Sequence, residues 1–380
     1  MGAFLEFDKV LGVSPTGSGK TIMAGELCKL LPGRILFLAD AKELVYQAAD
    51  KIAKWTDEFI GVEMAKSKID PMDDHRIIVA TTQSIATRLE KYEGHYFSYI
   101  IIDEAHRNTL GSLAKRVLDF FESAQVLGIT ATPFRSDKKQ LGSFYETISY
   151  EIGLVDLIKQ GFLSRITVKS VPANISLDGV RSLRGDYIEA DLGKAIEPHL
   201  MQCAELLKEH AGDRKTVTFL PLVATSKAFC AACNSIGLNA VHVDGKERED
   251  LKLFQDDKAR VICNASLLTT GWDQPDVDCV YILRPTKSFV LYSQMVGRGT
   301  RIHPGKTDLL LLDPMFMAEQ NNLIRPARLI AQSDEEVLAV QKKLDMGGGD
   351  VLHVADEVKQ EEEDARSEKM KEQLEQMSKR

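Results

Sequence analysis

Missing from this 380-residue chain is any apolar run near the ~18 residues that a membrane span needs; the longest candidates are strand-sized. Residues 1–8 have neither the basic flank nor the apolar stretch of a secretory leader, so none is expected. Cysteine is sparse. Six thiols scattered over this length do not make a disulfide framework, and a reducing, cytoplasmic compartment is the expectation. Basic excess is absent too: the formal net charge is -8. Residues 331–380 carry 14 acids against 8 bases, which leaves only -2 on the first 330. A histone-like binder driven by bulk charge is therefore excluded, although a local basic patch is not. What remains is ordinary for a globular protein, 44% hydrophobic and 27% charged. At roughly 100–200 residues per domain, the length predicts two or three domains.

Apolar, β-branched runs at 10–13, 34–39, 76–80, 99–103 and 126–130 read as strands covered on both faces. Helix-compatible stretches at 20–31, 41–55 and 111–121 separate them. The alternation predicts a doubly wound parallel sheet for residues 1–172. Residues 173–198, punctuated by Gly179, Gly185, Gly193 and Pro198, read as a linker. Strands then return at 216–219, 239–243, 260–264, 277–283 and 308–313, with helices at 201–210, 224–236 and 288–296. A second α/β domain is thus expected over 199–330. The glycines 347–349 read as a break, and 331–380 as a charged tail, helical or disordered. Met370, Leu374 and Met377 fall there at helical spacing and leave room for a protein partner.

Two constellations carry chemistry. Ser14, Pro15, Thr16, Gly17, Ser18, Gly19, Lys20 and Thr21 lie between an expected strand and an expected helix. Glycine lets backbone N–H groups approach a phosphate, and the helix start adds partial positive charge. Lys20 would reach the β- and γ-phosphates of a nucleotide, and Thr21 would ligate Mg2+. Ser14 stands where the strict pattern has glycine. Further on, an apolar strand ends in Asp103 and Glu104. Carboxylates at the C-terminal edge of such a sheet suit a metal ligand, Asp103, and a base for the attacking water, Glu104.

These motifs, followed by Thr130-Ala-Thr-Pro133 and then by Gln294, Gly297, Arg298 and Arg301, resemble the ordered motifs of superfamily 2 helicases and translocases over residues 10–315. The segment 128–135, with 157–163 and the last motif, looks like DNA-repair-type helicases and the motors of type I and III restriction enzymes, found in bacteria, archaea and phages. The resemblance implies two tandem RecA-like domains with an ATP cleft between them, and ATP with Mg2+ as ligands. DNA is favoured over RNA as the partner, with no membrane. It implies that residues 15–21 and Asp273 bind nucleotide, and that Gln294, Arg298 and Arg301 assist hydrolysis. His106, Thr130 and Thr132 would couple nucleotide state to movement. Thr82, Gln83 and Thr269 would touch nucleic acid. Two departures stand out: only 13 residues precede Ser14, none of them the adenine-reading Gln of the family, and the stretch from His242 to Phe254 is short. An RNA helicase, or an accessory module that binds without hydrolysis, are the alternatives. Cys230 and Cys233 have metal-ligand spacing but lack a second pair, so buried thiols are expected.

Overall fold

The computed structural model describes residues 2, 6–40, 42–65, 67–109, 111–131, 141–244, 249–269, 272–314, 316, 323–331 and 333–378. The chain divides into two compact units, one of residues 1–157 with 270–273, the other of residues 158–269 with 274–380.

The first unit is built on seven parallel strands: β1 (Lys9–Val13), β2 (Ile35–Ala39), β3 (Gly61–Glu63), β4 (Ile77–Thr81), β5 (Tyr99–Asp103), β6 (Gln125–Thr130) and β7 (Thr147–Glu151). Their order is β3-β4-β2-β5-β6-β1-β7. Residues such as Ile35 to Ala39 are buried on both faces, as parallel strands require. The helices are α1 (Lys20–Leu30), α2 (Lys42–Thr56), α3 (Thr82–Ala86), α4 (Ala105–Asn108) and α5 (Ser112–Phe120), with α6 (Leu154–Lys159) at the division. One apolar cluster gathers Leu36, Ile100, Phe97 and Phe121, another Phe37, Ile101, Val45 and Ile52; alternate residues of the central strands thus feed opposite faces of the sheet.

The second unit holds β8 (Ile166–Val171), a hairpin of β9 (Ser182–Leu183) and β10 (Asp186–Tyr187), then β11 (Thr216–Phe219), β12 (Ala240–Val243), β13 (Val261–Asn264), β14 (Cys279–Ile282), β15 (Leu309–Pro314) and β16 (Gly349–Asp350). Its sheet runs β12-β13-β11-β14-β15-β8-β16, parallel except for β16. Helices α7 (Glu189–Ile196), α8 (Leu200–Ala211), α9 (Val223–Ser235), α10 (Glu249–Gln255), α11 (Phe289–Val296), α12 (Asp334–Gly347) and α13 (Val351–Ser378) complete it.

Three expectations need correction. The division falls after Leu157, not after 172, because β8 pairs with β15 over six residues and so belongs to the second sheet. Residues 173–198 are not a free linker: Ala173, Ile175, Leu177, Leu192 and Ile196 are buried in the second core. The glycines 347–349 are not a break but a tight turn. Gly348 has φ 64°, and a Cβ there would lie 2.7 Å from the Val168 carbonyl oxygen, so only glycine can pass β8. Accordingly α12 is anchored, with Arg325 bridging Asp313 and Asp345 at 2.6 Å each, and α13 buries Val351, Val354 and Val358. Its residues 359–368 are exposed throughout; the side chains of Met370, Leu374 and Met377 lie outside the described ones. Among the described residues, no helix is long and apolar enough to cross a membrane.

Candidate active site

The phosphate loop leaves β1 at Val13 and is tied at once to the neighbouring strand: the Ser14 N–H donates to the Thr130 carbonyl at 2.9 Å. Gly17 (φ 90°) and Gly19 (φ 86°) turn the chain through left-handed conformations that a side chain would strain. Helix α1 begins at Lys20 with no side-chain cap, so its N-terminal amides and dipole remain available to an anion. Lys20 Nζ folds back to the carbonyls of Ser14 and Pro15, 3.3 Å each. Ser14 Oγ donates to Ser18 Oγ at 2.6 Å, bracing the loop where the strict motif has glycine. Thr16 Oγ1 is buried without a hydrogen-bond partner among the described residues. Uncapped helix amides, an orphaned hydroxyl and a lysine held over them fit a polyphosphate.

Asp103 ends β5 and is half-buried. Burial first, then the Glu104 carboxylate, push its pKa up to about 6, against the pull of Lys20. A half-buried acid beside a second acid is suited to a cation. Among the described residues no cluster of three or more His, Cys, Asp or Glu could hold a metal. Glu104 sits in the left-handed region (φ 48°), and its N–H returns to Asp103 Oδ1 at 2.9 Å. The turn sends the chain into α4, where buried His106 places Nδ1 2.9 Å from Thr130 Oγ1 and 3.4 Å from Glu104 Oε2. Thr130 therefore meets the phosphate loop through its carbonyl and His106 through its hydroxyl. Four residues singled out from sequence (Glu104, His106, Thr130 and Lys20) are linked through one strand end. Thr132 lies outside the described residues.

Thr82 and Gln83 open α3 beyond β4 and line a groove of about 680 Å3 that also includes Asp40, Lys42, Arg88 and Leu113. Arg88 is pinned by an ion pair to the fully buried Glu63, which also accepts from the Ile69 N–H (3.0 Å) and Tyr92 Oη (3.2 Å). Arg88 and Leu113 have no motif signature; a basic residue five positions after Gln83 was the available signal.

In the second unit, Gln294 on α11 is fully buried, and neither atom of its amide has a hydrogen-bond partner among the described residues. Arg298 is buried as well: Nη2 (2.6 Å) and Nε (3.2 Å) both donate to the Thr269 carbonyl. Thr269 itself is buried, its hydroxyl donating to the Ser266 carbonyl at 2.6 Å. Arg301 pairs its backbone with Leu163, and its carbonyl accepts from Ser164 Oγ at 2.9 Å. Asp273 groups with the first unit, where its carboxylate is 2.6 Å from Lys51 Nζ. Trp272 and Tyr145 are buried and serve as packing rather than base-stacking surfaces. Cys233 is buried and Cys230 partly so, both as free thiols.

Two family descriptions match this arrangement: "Type III restriction enzyme, res subunit" over residues 5–135 and "Helicase conserved C-terminal domain" over residues 199–303. In both halves the chain is similar to superfamily 2 helicases and translocases. It is 30% identical to the ATP-dependent helicase IRC3 of Saccharomyces cerevisiae over 89% of this chain and 55% of that protein. An HsdR-subunit fragment of a type I restriction enzyme from Vibrio vulnificus superposes with a TM-score of 0.64, at 23% identity, over 82% of this chain and 61% of that one. The ATP-dependent Type ISP restriction-modification enzyme LlaBIII, bound to DNA, superposes with a TM-score of 0.61 at 19% identity, over 91% of this chain and 30% of that one. The chain spans between 55% and 64% of the length of the first curated relatives it matches.

Proposed function

We propose that the chain hydrolyses ATP and couples that hydrolysis to movement along, or remodelling of, nucleic acid, with DNA as the polymer. The observation that carries this reading is the single edge of the first sheet. There an uncapped helix start, a folded-back lysine, a half-buried acid pair and the His106–Thr130 hydrogen bond are tied into one network.

In this reading the loop from Pro15 to Thr21 binds the phosphates. Thr21 and Asp103 would hold Mg2+, which when bound neutralises charge on the β- and γ-phosphate oxygens. Glu104 orients the attacking water and accepts its proton. His106 and Thr130 sense the state of that carboxylate and pass it to the phosphate loop through Ser14. We assign Asp273 to nucleotide contact, and Gln294, Arg298 and Arg301 to the charge that develops on the γ-phosphate, a role in which an arginine contributes about 10³–10⁵ in rate. Thr82, Gln83 and Thr269 are assigned to the polymer backbone, a contact that needs no base reading. DNA is preferred over RNA because the two restriction-type structures carry the higher structural likeness, and one of them is bound to DNA. The exposed residues 359–368 of α13 are the surface assigned to a protein partner.

Steady-state ATP turnover with single-stranded DNA, duplex DNA and RNA tests the reading. DNA stimulation supports it. Stimulation by RNA alone favours the RNA-helicase alternative, and absence of turnover with every polymer favours the accessory module.

A further inference from the structure

The turn after α11 that carries Arg298 and Arg301 is closed by a residue no motif marks. Lys306 reaches back with its ammonium partly buried, and Nζ donates to three main-chain oxygens: Val277 (2.7 Å), Arg301 (2.8 Å) and Gly299. An ammonium has three N–H donors, and here each finds a carbonyl. Two of the acceptors flank Thr300 inside the arginine turn, while the third belongs to the segment leading into β14. On the other side Ser164 donates from its N–H to the Thr300 carbonyl (2.7 Å) and from Oγ to the Arg301 carbonyl (2.9 Å). The turn cannot be braced by side-chain bulk instead. A Cβ on Gly299 would overlap Leu309 and crowd Val280 at 2.9 Å, so the chain lies directly on the sheet.

We propose that Lys306 is the positioning residue of the arginine turn: by drawing the carbonyls of Gly299, Arg301 and Val277 onto one ammonium, it fixes the direction in which Arg298 and Arg301 project. This rests on the assignment of those arginines to the γ-phosphate. A neutral strut would be the cheaper structural solution, because a lysine here is held against its own preference. Burial, and then the like charge of Arg301, lower its pKa to about 8, while Asp278, Asp276 and Asp308 pull the other way. Those acids are themselves engaged: Asp308 accepts from Arg214 at 2.7 Å, Asp276 from Lys215 at 2.7 Å, and Asp278 lies 4.0 Å from Arg214. His303 contributes its backbone carbonyl to the Lys306 N–H at 3.1 Å. Loss of the proton leaves two donors for three carbonyls, so the hold on the turn weakens as pH rises through 8.

Lys306→Met and Lys306→Arg test this in the full chain. Misplacement of a catalytic group by about 1 Å costs on the order of 10²-fold, so Lys306→Met should lower kcat by about 10–100-fold while the KM for ATP changes little. Wild-type kcat should fall on the alkaline side with an apparent pKa near 8. Lys306→Arg, which keeps its charge at every accessible pH, should recover part of the rate and lose that alkaline limb. Amide hydrogen exchange over 297–302 provides a readout independent of turnover: Lys306→Met should lose protection there and retain it in β14 and β15. Unchanged exchange over 297–302, or an alkaline limb that survives in Lys306→Arg, overturns the proposal. A wild-type chain without ATP turnover, but with the exchange difference intact, overturns the reading of the arginines and leaves the positioning role standing.

Discussion

The two units share one strand plan and use it in opposite ways. With β1 set against β8 and β5 against β14, the orders β3-β4-β2-β5-β6-β1-β7 and β12-β13-β11-β14-β15-β8-β16 correspond position by position. In the first unit the functional groups stand at strand ends in conformations that need glycine or accept strain, as at Gly17, Gly19 and Glu104. Their partners are one another, as His106 on Thr130, or the carbonyls of their own loop, as Lys20 on Ser14 and Pro15. In the second unit the functional cations are wrapped by main-chain oxygens: Arg298 on Thr269, Lys306 on Val277, Gly299 and Arg301. In the proposed reading, one sheet edge receives anions and metal, and the other holds positive charge against main-chain oxygens. The comparison teaches that one strand order, altered only in the direction of its last edge strand, can host complementary charge.

Removal of Arg298 should break the comparison most severely. Arg298→Ala is expected to lower DNA-stimulated kcat by about 10³–10⁵ while ATP binding survives. Loss of ATP binding in proportion to kcat would place the arginine's work in the ground state instead. Next in size, Glu104→Gln should lower turnover by about 10²–10⁴. It should still bind ATP, and normal multiple-turnover hydrolysis in this variant would remove Glu104 from the role of base.

A smaller effect sharpens the account of Asp103. Its carboxyl is raised from the ordinary carboxylate range to about 6. In the unliganded protein, an acid with a raised native pKa costs stability in its ionised form. That cost is fully present above pH 6 and is relieved as pH falls toward the unfolded value near 3.8. Ligation runs the other way, because a protonated carboxyl cannot hold a cation. Mg2+-dependent ATP affinity should therefore weaken by up to about tenfold per unit as pH drops below 6. Isothermal titration between pH 5 and 7.5 measures this, and a flat profile would show that Asp103 does not meet the metal.

The smallest effect concerns packing under the first site. Gly128 on β6 faces the buried ring of Tyr145, whose hydroxyl is fixed to Thr109 Oγ1 at 2.8 Å. A Cβ at 128 would overlap that ring, so Gly128→Ala should destabilise the chain by about 1–3 kcal/mol in denaturant unfolding. Unchanged stability would mean that Tyr145 has room to shift.

Much of the scaffold was legible because parallel strands buried on both faces leave unbroken apolar runs. Tyr99–Asp103 and Thr216–Phe219 fall where the residues predict, and the other expected strands shift by one or two residues at their ends. What escaped had no such run. Strand β8 carries Lys169 and Ser170 within six residues, and β3 and β16 have only three and two residues. Their place follows from pairing with distant partners, which no local window contains. The glycines 347–349 misled for a related reason: glycine marks both a chain break and a close backbone passage, and only β8 decides between them.

At the site, the residues were legible where chemistry demands a residue type. Lys20, Asp103 and Glu104 are such cases, since the proposed phosphate and metal contacts would select the side chain. Lys306 and Ser164 were not. Their partners are main-chain carbonyls, which every residue possesses, so their function leaves no pattern of types in the sequence. The groove residues Arg88 and Leu113 were hidden in the same way, because they join Thr82 and Gln83 only once β4 and α5 are folded.

Polymer-dependent ATP turnover tests the central claim most directly. With saturating ATP and Mg2+, adding DNA should raise the steady-state rate well above the polymer-free rate, and the stimulation should fall steeply with salt, as contact with a phosphate backbone requires. A rate that stays at the uncatalysed level with single-stranded DNA, duplex DNA and RNA alike would contradict it.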